Sequence, residues 1–116
     1  LKGNDVTTRV WCQQWEETEK DWGPRPDGYS LHLTQADRTA FVGAYWDGMP
    51  DEQPDEFSRP LGTPYKIDAD DETVAKLQAA AKEHGIRDYN TGATPQPPAG
   101  MRGVWRRDTH APASTV

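Results

Sequence analysis

Few side chains in this chain could do chemistry, and they are scattered. Cys12 is the only cysteine, His32 is one of three histidines, and acids are plentiful. A thiol, an imidazole and a carboxylate can act as nucleophile, base and orienting group. Cys12 and His32 fall on two segments that read as pairing strands, so a small enzyme built on this chain would use one of them. The period-2 alternation places His32 with Ser30, on the face opposite Tyr29, Leu31 and Leu33. Neither Cys12 nor His32 is accompanied by a Gly-rich elbow or an oxyanion motif. A lone strand cysteine ordinarily serves as a small buried hydrophobe. No residue is therefore assigned a catalytic role, and the enzyme reading stays an alternative.

Metal binding has less support. His32, His84 and His110 lie on a strand, at a helix end and near the C-terminus, and none is at ligand spacing from another. One cysteine cannot build a thiolate zinc site. His84 suits a helix C-terminus, where the dipole favours it. The acids Asp51, Glu52, Asp55 and Glu56 do not alternate as an EF-hand requires. No cofactor or metal is expected.

The stronger signals are those of surfaces. Residues 47–72 hold nine acids against Arg59 and Lys66, a net of −7. Trp46, Met49 and Phe57 sit among them, and protein interfaces place aromatic anchors inside a polar rim. Trp46, Met49, Asp51, Glu52, Asp55, Glu56 and Phe57 are thus the candidate partner-binding residues, for a protein with a basic surface. The plainer reading is a solvated loop whose apolar residues close the core. Arg102, Arg106 and Arg107 around Trp105 form a second candidate, able to stack on an unpaired base and neutralise phosphates. Residues 1–100 carry 10 basic and 18 acidic side chains. That net of −8 repels a phosphate backbone, so nucleic acid is an expected partner only through the tail.

The elements that must position these residues follow from the patterning. At 116 residues and 34% apolar content, the chain has room for one domain with a modest core. Residues 1–6 are polar and expected to fray. Residues 7–15 and 29–33 read as strands, with Trp11, Gln13 and Trp15 on one face of the first and Val10 and Cys12 on the other. Between them lies an acidic, turn-rich stretch whose Pro24 and Pro26 should stop any regular element. Thr34 is placed to cap a helix running to Trp46 or Asp47. Residues 47–59 read as a loop. Residues 64–68 read as a third strand, at a sheet edge because of Pro64. Asp70 or Asp71 caps a second helix over 72–84, closed by Gly85 in the left-handed region. From Thr91 the composition is that of a linker. The expected fold is α+β, in the order β-β-α-β-α. It has a small antiparallel sheet of about three strands, two helices on one of its faces, a domain at 7–90 and a flexible tail at 91–116.

The run Trp22-Gly23-Pro24-Arg25-Pro26-Asp27-Gly28-Tyr29-Ser30-Leu31-His32-Leu33 and the later Pro54-Asp55-Glu56-Phe57-Ser58-Arg59-Pro60 resemble small proteins of bacteria and their prophages that have no established activity. The similarity covers residues 9–87. It implies an accessory protein of a phage or mobile element and carries no site residues. No apolar run suggests a signal peptide or a membrane span, and the cytoplasm is the expected location. The leading expectation is a non-enzymatic interaction module, an inhibitor or an adaptor.

Overall fold

The computed structural model describes residues 8–98. The expected frayed start, most of the expected tail, His110 and the candidates Arg102, Trp105, Arg106 and Arg107 lie outside them. The elements run β1 (Thr8–Glu19), β2 (Gly23–His32), α1 (Gln35–Asp47), β3 (Glu56–Ala69), α2 (Asp71–Ala79) and β4 (Ile86–Asp88). The four strands form one antiparallel sheet in the order β3-β1-β2-β4. The architecture is α+β, as the patterning implies, with four strands where about three were expected. β4, at three residues, is too short to leave a periodicity.

The strands are also longer than composition suggests. β1 and β2 continue through the acidic stretch to a tight turn at Lys20–Trp22, where Trp22 N–H donates to Glu19 O at 3.1 Å and Gly23 takes φ +76°. A three-residue connection with glycine in the left-handed position is a common hairpin closure. Pro24 and Pro26 pair with Thr18 and Glu16 rather than ending the strand. Proline is tolerated there because β4 covers only Tyr29–Leu31, so Pro24 and Pro26 have no further strand beside them that needs a donor. The same logic extends β3, an edge strand, back through Pro64 and Pro60 to Glu56. Gln13 supports its irregular middle. Its Nε2 donates to the carbonyls of Leu61 and Gly62, each at 3.1 Å, where the register slips and Gly62 adopts φ +73°.

The two helices flank opposite faces of the sheet, which corrects the expectation of one shared face. Val10, Cys12, Leu31, Tyr65 and Ala69 form a buried cluster with Leu77 of α2. On the other face, Trp15 meets Phe41 and Tyr45 of α1 edge-on, at 6.2 and 5.1 Å between ring centroids. Alternation along β1 makes both faces apolar, so each needs a cover. Aromatic pairs of this geometry are worth about 0.5–1.5 kcal/mol beyond their burial.

Thr34 caps α1 through Asp37 N–H, and Asp70 caps α2 through Thr73 N–H. α2 stops at Ala79, passes through a single 3-10 turn at Ala81–Glu83, and ends with His84, not Gly85, in the left-handed region at φ +66°. Gly85 is needed for another reason: a Cβ there would fall 2.4 Å from both His32 Nδ1 and Leu31 O. The body extends past residue 90, since Tyr65 O–H donates to Pro95 O at 2.6 Å.

Candidate partner-binding face

The end of the sheet away from Trp11 and His32 carries the acidic residues. Glu19 pairs with Gly23 on one side and Glu56 on the other, so the hairpin tip and the start of β3 are neighbours. Lys20 N–H donates to Asp55 O at 2.9 Å, which ties the acidic loop to the tip. Arg25 reaches three carboxylates, Glu17 at 2.7 Å, Glu19 at 2.9 Å and Glu56 at 3.0 Å. Strands lie about 4.8 Å apart, so without this cation the carboxylates would repel across the ladder. Burial and the neighbouring Glu56 push the Glu17 carboxyl up. Glu56 is therefore held in the sheet and differs from Asp51, Glu52 and Asp55. Those three are exposed, and none has a basic side chain within ion-pair distance among the described residues.

The aromatic candidates do come together. Trp46, at the C-terminal end of α1, packs on Tyr45 and on Phe57 of β3, with centroids 5.2 and 6.4 Å apart. Tyr45 fixes this end of the helix by donating its hydroxyl to Ser58 O and accepting from Ser58 N–H. Met49 N–H donates to Trp46 O and its side chain is half-buried. Trp46 keeps 38% of its surface exposed, so one part closes the core under the loop and the rest faces outward. Trp22 was not among the candidates. It is the most exposed large apolar residue described, at 78%, and sits on the tied hairpin tip. Asp21-Trp22-Gly23 places an aromatic residue inside turn-forming residues, which is the signal in the sequence that could have found it.

Cys12 and His32 are not brought together. Cys12 pairs with Leu31, and His32 with Trp11, so their side chains leave opposite faces of the sheet. Cys12 is fully buried, and burial pushes its thiol up to about 12. A thiol so rarely ionised is a poor nucleophile. His32 is fully buried too, in a chain of hydrogen bonds. Trp15 Nε1–H donates to Ser30 Oγ at 2.8 Å, Ser30 Oγ lies 2.7 Å from His32 Nε2, and His32 Nδ1 lies 2.7 Å from His84 O. Only an N–H can satisfy a carbonyl, so Nδ1 carries the proton and Nε2 accepts from the serine hydroxyl. Every polar atom of the set is used, and burial lowers the tendency of His32 to protonate. His84 turns its ring to Asp37, at 3.0 Å.

Among the described residues, no group of three His, Cys, Asp or Glu side chains could hold a metal ion. No described helix is long and apolar enough to cross a membrane. No family model, curated protein or solved structure matches the chain.

Proposed function

We propose that this protein is a non-enzymatic interaction module that binds a basic surface on another protein through its acidic, aromatic-containing end. The observation that carries the reading is the tie between the hairpin tip and the acidic loop. Lys20 N–H donates to Asp55 O, so the tip that bears the exposed Trp22 adjoins a loop whose Asp51, Glu52 and Asp55 have no described basic partner. That loop joins the exposed Trp46 of α1 to Phe57 of β3, on which Trp46 packs. Aromatic anchors supply affinity when they fill a pocket, while unpaired charges around them steer encounter and choose the partner. The tie between Lys20 and Asp55 and the Arg25 cluster fix this surface before binding, which lowers the ordering cost of association. An inhibitor or adaptor from a phage or mobile element, acting in the cytoplasm, fits such a surface, including one that occupies the basic groove of a nucleic-acid-handling complex. The buried, high-pKa Cys12 and the fully satisfied His32 favour this reading over an enzyme.

The test is capture from host lysate with three baits. They are the parent, a variant with Asp51→Lys, Glu52→Lys and Asp55→Lys, and a chain ending at residue 98. Glu56 is left in place because it holds Arg25. A stoichiometric protein retained by the parent and the shortened chain, but lost by the lysine variant with an unchanged circular dichroism spectrum, supports the acidic face. Retention by the lysine variant and loss from the shortened chain would transfer the role to Arg102, Trp105, Arg106 and Arg107.

A further inference from the structure

Of the five arginines described, four face a carboxylate within 4 Å: Arg9 with Asp68, Arg25 with its three glutamates, Arg59 with Glu16 and Arg87 with Asp27. Arg38 is the exception, although acids outnumber bases in this chain by 19 to 13. It is half-buried on α1, against the sheet face that carries Trp11, Gln13 and His32. Its Nε–H donates to Gln13 Oε1 at 2.8 Å, and Gln13 is itself pinned by Leu61 and Gly62. No described residue takes up the other guanidinium nitrogens. The adjacent acid in sequence, Asp37, is engaged by His84.

A half-buried guanidinium without a counter-ion costs stability. The same sheet face carries a second cation and an aromatic ring. On the same face Trp11 lies opposite both His32 and Lys66, and Lys66 Nζ stands 5.4 Å from the Trp11 ring. Lys66 is exposed and has no carboxylate partner among the described residues. Fixing Arg38 through Nε leaves its two terminal nitrogens as a fork, the geometry that binds a carboxylate or phosphate through two parallel hydrogen bonds.

We propose that Arg38 is the core of an oxyanion-binding site on the α1-covered face of the sheet, with Lys66 supplying a second positive charge beside Trp11. The ligand is a phosphate or carboxylate group of a small molecule. The site stands at the opposite end of the sheet from the acidic face, so the two proposals stand or fall separately. The net negative charge of the body opposes anions at long range. That repulsion is screened beyond roughly 8 Å at physiological salt, leaving the local cations to decide binding.

Inorganic phosphate and acetate are the probes, titrated into the full chain at constant ionic strength with chloride as the balancing ion. The readouts are the Nε–H resonances of the arginines and the indole N–H resonance of Trp11. The expected result is a saturable shift at Arg38 and Trp11 that Arg9 and Arg59 do not share. Arg38→Lys keeps the charge and removes the fork, and should weaken binding at least roughly 10-fold, a loss of about 1.4 kcal/mol. Lys66→Gln, at an exposed position, should weaken it severalfold with the fold intact. Saturation by phosphate alone, acetate alone or both identifies which oxyanion is read. A response at Arg38 no larger than at Arg9, or one reproduced by chloride, would overturn the proposal, as would an Arg38→Lys variant that is folded and binds like the parent.

Discussion

Residue types alone single out Cys12 and His32, and their surroundings assign them to the interior. Cys12 should resist iodoacetamide in the native protein and react only on unfolding, so its labelling rate should follow denaturant concentration. Rapid native labelling would contradict its placement. The Trp15–Ser30–His32–His84 chain makes a sharper prediction. Ser30→Ala leaves the indole N–H and His32 Nε2 without partners and should cost about 1–3 kcal/mol in urea denaturation. The pH dependence follows from the sign of the His32 shift. Burial holds its folded pKa below the ordinary 6.5, so below that pH the unfolded state binds a proton that the folded state does not. Stability is complete above about 6.5 and falls as pH drops towards the depressed folded value. His32→Gln should flatten this slope between pH 7 and 5. An equally steep slope in that variant would place the proton elsewhere.

Elements were legible where one feature dominated. The Thr34 cap and the extent of α1, the alternation of β1 on both faces, and the grouping of His32 with Ser30 all follow from local patterns that the structure keeps. What could not be read was context. Pro64 marks an edge strand and lies in one. Pro24, Pro26 and Pro60 signal turns in isolation, yet each lies in a strand because those stretches too occupy sheet edges. For these three, edge position depends on strand order and on how little of β2 is covered by β4, which no local window contains. The second face of the sheet was misjudged for a related reason: Ser30 and His32 look solvent-facing by type and are buried by α1. At this scale the prolines should act as guards against strand addition. Replacing Pro60 and Pro64 by Thr should raise self-association in analytical ultracentrifugation; a strictly monomeric double variant would remove that role. Gly85→Ala, which sets a Cβ against His32 and Leu31 O at φ +150°, should cost on the order of 1–3 kcal/mol.

Over the described body as a whole, two ends of one sheet carry different charge. At the end with Glu19 and Glu56, carboxylates are gathered around Arg25, the loop before Glu56 adds acids with no basic partner among the described residues, and Trp22 and Trp46 are exposed. At the other end, Arg38 and Lys66 have no acid partner among the described residues, and Lys66 stands by Trp11. The acidic candidates were legible in the sequence as a run of like charge around aromatic residues. Trp22 joined them only when the hairpin brought residues 20 and 55 together. The most direct measurement of the central claim is the equilibrium affinity of the captured partner, once purified, for the parent and for the Asp51→Lys, Glu52→Lys, Asp55→Lys variant at low and high salt. The account predicts a loss of roughly 100-fold in the variant and a marked weakening of the parent with salt. Equal affinity for the two proteins, insensitive to salt, would contradict it.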